Sequence, residues 1–501
     1  MSDDFSDDAS YDFDMDESES DADFGIDISE DKDRRKTYEV EAKNITSAEI
    51  RSAQEIQAEQ VANVLAQSQE QALILLRYYK WNKERLIDRL MDNSETVLNE
   101  AGITSNSKHP EIEVTNDYEC PICCEDGTLE TFALPCGHRY CRDCYGRFMD
   151  EKIVEEGEVR NLKCPGDKCK LALGESVVRL LVEDDVYQRY LRLLDRAYVD
   201  DHDNVKWCPS PNCENAVECG TSARQLTQII PSVTCAAGHS FCFGCSLDEH
   251  QPCICPIVKT WLKKCEDDSE TSNWISANTK ECPKCVSTIE KNGGCNHMTC
   301  RKCKYEFCWV CMGVWSDHGQ SWYNCNRFEE KDSTAARDNQ AKSRASLERY
   351  LHYYNRYANH EQSARLDREL STRTETKMAQ LQSTSDMSWI EVQFLRNAVD
   401  TLSACRRTLK WTYAFAFYLK RNNATELFED NQKDLEMAVE QLSGLCEQPI
   451  VAEHIARMKQ QVLDKTVYVA SRREVFLTDT AAGLAEGRWS FDITIDGLNN
   501  E

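Results

Sequence analysis

Apolar positions recur at helical spacing toward both ends of this chain and lose that period in the middle. From about Ser47 to Asn93 there is neither glycine nor proline. Within that stretch Ile56, Val61, Val64, Leu65, Leu73, Leu75, Leu76, Leu86 and Leu90 recur at mostly helical spacing, as in Val61/Leu65, Leu73/Leu76 and Leu86/Leu90, which predicts a compact helical module. A second helical stretch runs from Glu175 to Val205, where Val178, Leu181, Tyr187, Tyr190, Leu191 and Leu194 make one apolar face. After Cys325 the period returns. Leu347, Tyr350, Leu351, Tyr354 and Tyr357 share one face, Trp389, Val392, Leu395, Val399 and Leu402 another, and Leu435, Val439 and Leu442 a third. A helical bundle with the aromatic stripes in its core is expected. Between Cys120 and Cys325 cysteine clusters set the pattern instead, interrupted by the polar stretch Glu266 to Lys280 with Trp274 and Ile275 as its anchors.

Composition narrows what the middle does. The chain has 501 residues, enough for several domains, and 27 cysteines concentrated between Cys120 and Cys325. Its first stretch has no basic segment followed by an apolar run, and no segment approaches the ~18 apolar residues of a membrane span; the best run, Trp411 to Leu419, is short. A soluble, cytoplasmic protein is expected, whose clustered thiols are metal ligands and not disulfides. The net charge of −28 argues against a general nucleic-acid binder. Part of that charge is local: Asp3 to Asp31 holds many carboxylates and no Lys or Arg, which predicts a disordered acidic tail over residues 1–40, with a docking segment as the alternative. The cluster Lys32, Arg34, Arg35 and Lys36 has the composition of a nuclear import signal, which leaves nuclear access open.

The cysteine spacings divide into three groups. The first is Cys120-x2-Cys123, Cys136-x-His138, Cys141-x2-Cys144 and Cys164-x4-Cys169, enough for two closed tetrahedral zinc sites. The second is Cys208-x4-Cys213, Cys235, Cys242-x2-Cys245 and His250-x4-Cys255, one donor short of two sites. His239 and Cys219 are the candidates for that donor, His239 being favoured. The third pairs Cys282/Cys285 with Cys300/Cys303 and Cys308/Cys311 with His318/Cys325. Eight ligands fill two sites there, so Cys295 and His297, in Gly293-Gly294-Cys295-Asn296-His297, are surplus together. With no open coordination position, six zinc ions would be structural.

The first group resembles a RING finger, in which the first and third ligand pairs share one metal and the second and fourth the other. In such fingers an apolar patch recruits ubiquitin-conjugating enzymes, and Ile122 and Pro135 occupy the matching positions. The second group resembles the in-between-RING domain, with Ala237 where that family usually has a cysteine. The three together, followed by Trp389-Ile390-Glu391-Val392-Gln393-Phe394-Leu395 and Phe415-Ala416-Phe417-Tyr418-Leu419, resemble the Ariadne subfamily of RING-between-RING ubiquitin ligases. Tyr79 to Leu86 is similar to the final helix of ubiquitin-associated domains.

The resemblance implies a multi-domain α fold with small zinc-binding modules. A ubiquitin-associated-like module over 45–103 precedes a RING over 118–171, a helical linker over 172–205 and an in-between-RING domain over 206–260. A linker over 261–280, a catalytic RING-like domain over 281–327 and an Ariadne bundle over 328–501 complete it. The resemblance further implies a thioester-forming ligase with Cys295 as nucleophile. It also implies that the bundle keeps the enzyme inactive through contacts that include Leu366, Asp367, Glu429 and Glu440. Conjugating enzyme, ubiquitin, protein substrates and modified cullin-RING complexes are the implied partners, with no membrane or nucleic acid.

The chemistry asked of Cys295 can be stated without the family. Its thiolate would exchange one thioester for another, a step that needs orientation more than driving force. A free thiol with pKa of about 8.5 is mostly protonated at neutral pH, and an acceptor lysine near about 10.4 must lose a proton, so His297 is the candidate base. Competing readings are a packed thiol and imidazole, a ligase that only positions the conjugating enzyme, a zinc-ribbon nucleic-acid protein and a zinc-domain adaptor. Only the transthiolation enzyme needs a cysteine outside the zinc sites beside a base.

Overall fold

The computed structural model describes residues 36–104, 111–267, 279–291, 294–318, 325, 339–384, 388–448 and 455–495. The acidic stretch Asp3 to Asp31, the cations Lys32, Arg34 and Arg35, the anchors Trp274 and Ile275, and Gly293 lie outside these residues. A short strand β1 (Ala42–Ile45) leads into three helices, α1 (Ser47–Leu65), α2 (Gln69–Tyr78) and α3 (Lys83–Ala101). Each start is fixed by a side-chain cap. The Thr46 hydroxyl accepts from the Glu49 N–H, and the Glu49 carboxylate accepts from the Thr46 N–H at 2.9 Å; Ser68 and Gln71 repeat the arrangement, and Asn82 caps α3. Tyr79–Asn82, expected within the final helix, is instead the turn before it, with positive φ at Lys80 and Trp81. The helix itself is broken at Asn93 (φ −156°), whose carboxamide caps its continuation.

The first zinc module is a sheet of order β2-β3-β4, made of β2 (Glu113–Glu119), β3 (Asp126–Ala133) and β4 (Arg139–Cys141), followed by α4 (Arg142–Asp150). The stretch read as one helix from Glu175 is two, α5 (Glu175–Leu181) and α6 (Asp184–Asp200). Next come β5 (Val205–Trp207), β6 (Ala216–Cys219), the hairpin β7 (Ser232–Thr234) and β8 (Ser240–Cys242), and α7 (Cys255–Asp267). The third module is two hairpins, β9 (Thr279–Glu281) with β10 (Thr288–Glu290) and β11 (His297–Thr299) with β12 (Glu306–Cys308). The bundle comprises α8 (Asn339–Thr384), α9 (Gln393–Tyr418), α10 (Asn423–Glu447) and α11 (Ile455–Ala485).

Two junctions tie these modules together. At the first, β1 pairs antiparallel with β6, and α1 sits on α6 through Arg51 and Gln54, which both reach the Asp195 carboxylate. Trp81 meets Tyr198 of α6 edge-on at 4.7 Å. The N-terminal helices and α6 therefore share one apolar core.

At the second junction α7 is embedded in the bundle. Ile257, Val258 and Trp261 are fully buried in an aromatic core with Tyr350 and Tyr357 of α8 and Trp411 and Phe415 of α9. The Trp261 ring lies 5.4 Å from those of Tyr357 and Phe417. This corrects the expected linker over 261–280: its first part, through Asp267, is a core helix, because Trp261 continues the apolar face of Ile257 and Val258. A second core joins Val399 and Leu402 of α9 to Leu435, Val439 and Leu442 of α10 and to Val462 and Val469 of α11. Leu347 and Trp389, expected on buried stripes, are exposed; Trp389 lies in the turn before α9.

Trp261→Ala should destabilise the α7–bundle unit by about 3–5 kcal/mol, as large aromatic truncations in a core do. The check is the midpoint of urea unfolding, with Trp389→Ala, at the exposed turn, expected to change it little.

Candidate catalytic site and zinc clusters

The Cys-x2-Cys spacing builds a tight turn in four of the six clusters. The residue after the second cysteine donates its N–H to the first cysteine's carbonyl, as in Cys124 to Cys120 (2.8 Å), Val286 to Cys282 (2.9 Å) and Lys304 to Cys300 (2.8 Å). That residue adopts a positive φ, between 57° and 63° at Cys124, Ser246, Val286, Lys304 and Met312. Cys124 is such an exposed turn residue and no member of the cluster beside it. Cys141 caps α4 by accepting from the Cys144 N–H at 3.4 Å, so helix start and ligand pair are one feature.

The donor atoms gather into clusters, each within 4.8 Å: Cys120, Cys123, Cys141 and Cys144; Cys136, His138, Cys164 and Cys169; Cys208, Cys213, Cys235 and His239; Cys242, Cys245, His250 and Cys255; Cys282, Cys285, Cys300 and Cys303. Cys311 meets His318 Nε2 at 3.2 Å and interacts with Cys308 and Cys325. The first module interleaves its pairs, whereas the third takes them in sequence order. At the second module His239 joins the cluster, and the Cys219 thiol lies 3.3 Å from the Thr221 hydroxyl. Four thiolate or imidazole donors per cluster fit zinc. Ile122 and Pro135 are both exposed beside the first two clusters.

Cys295 belongs to none of these clusters. It is half-buried just before β11, in a loop whose polar groups are taken up by the bundle. The Glu440 carboxylate of α10 accepts from the Asn296 N–H at 2.5 Å and from Asn296 Nδ2 at 2.9 Å. Ser363 of α8 donates to the Gly294 carbonyl at 3.1 Å. The Lys291 ammonium donates to Asn296 Oδ1 (3.2 Å), Asn359 Oδ1 (2.9 Å) and the Ser363 hydroxyl (2.9 Å). Arg406 of α9 pairs with Asp367, donates to Ser443 Oγ at 2.7 Å, and stands so close that a Cβ on Gly294 would collide with its guanidinium.

Burial dominates the ionisation of this site. It pushes the Cys295 thiol well up, and the neighbouring Glu440 carboxylate pushes the same way. It brings Lys291 down to about 8. Asp367 is also raised by burial, against the pull of Arg406. Both effects favour the protonated thiol in this arrangement.

The expected contacts divide accordingly. Glu440 touches the loop directly and Asp367 acts through Arg406. Glu429 lies eleven residues earlier on α10, about 16 Å along the axis, and so stands away from the loop. Leu366 is only partly buried. The His297 ring does not reach toward the thiol as its spacing suggested: its backbone N–H donates to Cys295 Sγ at 3.4 Å, while Nε2 lies 3.1 Å from Glu306 Oε2. The ring also stacks on Trp315 at 4.4 Å. Glu306 was not foreseen, but the β11–β12 register puts it diagonally across from His297. Lys291 and Asn296 flank Cys295 in sequence, yet their partners at 359, 363 and 440 carry no local signal.

An interleaved zinc finger, two further zinc modules and a cysteine held outside their clusters define a RING-between-RING ubiquitin-protein ligase. Family models match residues 52–92 as the UBA-like domain of E3 ubiquitin-protein ligase ARIH1, 120–166 as a C3HC4-type RING finger, and 188–255 as an IBR domain, a half RING-finger domain. Residues 277–326 match an IBR domain and 348–472 the Ariadne domain. The E3 ubiquitin-protein ligase dbl4 of Schizosaccharomyces pombe is 54% identical over 466 residues, covering 93% of this chain and 92% of that protein. The E3 ubiquitin-protein ligase ari-1.1 of Caenorhabditis elegans is 47% identical over 422 residues (84% and 83%), and ARIH1 of Homo sapiens 45% over 429 (83% and 76%). The chain belongs to the Ariadne family of RING-between-RING ubiquitin ligases. It is a zinc-binding ubiquitin transferase whose partners include ubiquitin and a ubiquitin-conjugating enzyme.

Removing the Glu440 carboxylate should both unseal the loop and lower the thiol pKa. Alkylation of Cys295 by iodoacetamide, followed by mass spectrometry of its peptide, should therefore quicken at least about tenfold at pH 7.5 in Glu440→Ala, one pKa unit being worth tenfold in thiolate.

Proposed function

We propose that Cys295 accepts ubiquitin from the conjugating enzyme as a thioester and passes it to a substrate lysine, and that the helical bundle holds this site closed. The observation that carries the reading is the placement of Cys295: outside every zinc cluster, yet sealed by Glu440, Ser363 and Arg406 of the bundle. Ile122 and Pro135 are the proposed contact for the conjugating enzyme. His297 is the proposed general base: a bond between Nε2 and Glu306 leaves Nδ1 free to take the proton of the incoming amine. The hydrogen bonds of the sealed loop support Glu440 and Asp367 as closing contacts.

The zinc is proposed as six structural ions, one per cluster, each coupling metal binding to local folding. Modified cullin-RING complexes are proposed to engage the N-terminal helical module, where Ile56, Val64 and Met91 are exposed. The proposed location is the cytoplasm, with nuclear access through the basic cluster at Lys32 to Lys36.

The structure changes how closure is best tested. Deleting residues 340–501 would strip the core from α7 and confound opening with unfolding. Glu440→Ala is the cleaner variant. Given charged conjugating enzyme and labelled ubiquitin, it should form more reductant-sensitive adduct than the unaltered chain on a non-reducing gel, and Cys295→Ala should form none; an undiminished adduct in Cys295→Ala would overturn the assignment. In the Glu440→Ala background, His297→Ala should still form adduct but discharge it to free lysine at least about tenfold more slowly, in the range general-base catalysis supplies. Zinc released under denaturing conditions, read with a chromogenic chelator, should reach six ions per chain.

A further inference from the structure

Glu440 places an anion at the Cys295 loop where the oxygen anion of a reacting thioester would need donors. Its two oxygens accept from two donors of one residue, the backbone N–H and the Nδ2 of Asn296, and the same carboxylate interacts with the Cys295 thiol. Asn296 is fully buried, and its carboxamide is oriented from behind: Oδ1 accepts from Lys291 Nζ at 3.2 Å and from Asn359 Nδ2 at 3.0 Å, which leaves Nδ2 facing Glu440. The Asn296 carbonyl accepts from the Trp309 N–H at 2.8 Å, pinning the backbone. Of these holding groups, Lys291 and Trp309 belong to the catalytic module itself and stay with Asn296 when the bundle leaves. Two fixed N–H donors converging on an anion beside a nucleophile are the arrangement that stabilises a tetrahedral oxyanion.

We propose that Asn296 is a catalytic residue that binds, through its N–H and its carboxamide, the oxyanion formed when the Cys295 thioester is attacked, and that Glu440 fills this oxyanion site in the closed enzyme. The inference rests on the reading of Cys295 as the thioester carrier. In the lysine step the amine lone pair forms a C–N bond to the thioester carbon, and the C=O π pair moves onto oxygen, which Asn296 holds. The nitrogen loses its proton to the His297 imidazole. The oxyanion then collapses, re-forming C=O and breaking C–S, and the departing Cys295 thiolate recovers that proton. Lys291 acts as a positioning residue, keeping Oδ1 turned away so that Nδ2 points at the oxyanion.

In an enzyme already unsealed by loss of Glu440, this role predicts slower discharge on loss of Asn296, whereas a purely sealing role predicts no slowing. The test uses the full chain carrying Glu440→Ala, loaded with ubiquitin in a single turnover, with discharge to free lysine followed in time. Asn296→Ala should slow discharge at least about tenfold, less than a fully lost oxyanion site because the backbone donor remains. Alkylation of its Cys295 by iodoacetamide, a displacement that forms no oxyanion, should stay as fast as in the parent. Asn296→Asp, which keeps the shape and the Lys291 contact but puts negative charge at the site, should slow discharge further, and it serves as the test if Asn296→Ala does not fold. Discharge at the parental rate or faster in these variants overturns the inference. A parent that forms no Cys295 adduct overturns the thioester reading, and this inference with it; a parent that forms adduct beside unslowed Asn296 variants overturns the inference alone.

Discussion

The Glu440 carboxylate, buried against the two N–H donors of Asn296, is the contact that ties the Cys295 loop to the helical bundle. A charge in that position is tolerable only with its hydrogen bonds complete, and here they are made across two modules. The same network extends through Lys291, Asn359 and Ser363 to α8 and through Arg406 and Ser443 to α9 and α10. Because the network is buried and polar, its stability depends on every member being present. Losing one partner leaves charged groups unsatisfied in a low-dielectric site, so the seal is steep in its response to disruption.

The contrast with α7 gives the seal its meaning. The in-between-RING module enters the bundle through Ile257, Val258 and Trp261, which join a continuous aromatic core. The Cys295 loop meets the bundle through hydrogen bonds. Apolar cores of this kind separate only by exposing large aromatic area to water, whereas polar contacts can be exchanged for bonds to solvent or to substrate. One sequence thus builds an apolar joint and a polar one on the same four helices, and the polar one lies over Cys295.

The zinc modules were legible in the sequence because their chemistry is local. A Cys-x2-Cys pair specifies its own turn, and the ligand count left Cys295 and His297 as the remainder without any knowledge of the fold. The bundle was legible for the same reason, since Val399, Leu402, Leu435 and Val439 repeat at helical spacing. Long-range partnerships were not legible. Nothing near Lys291 points to Asn359 or Ser363, and nothing near Gly294 points to Arg406, because these contacts join residues 68 to 112 positions apart whose side chains are ordinary in their own helices. The boundary at residue 261 failed for a related reason: Trp261 reads as part of a polar linker until α8 and α9 supply the rings around it. His297 shows the limit of spacing alone: Cys295 lies in the loop before β11, outside the strand's alternation, and the His297 ring turns to Glu306 and not to the thiol.

Amide hydrogen exchange at Asn296, read from peptides spanning residues 291–299, tests the seal most directly. In the unaltered full chain this amide, held by Glu440 in a fully buried site, should exchange slowly. In Glu440→Ala it should exchange fast, while the amides of α7 from 258 to 265 keep their protection because their core is untouched. Equal protection of Asn296 in the two proteins, or a loss of protection spread evenly over α7 and the loop, would contradict a catalytic site closed by this one buried carboxylate.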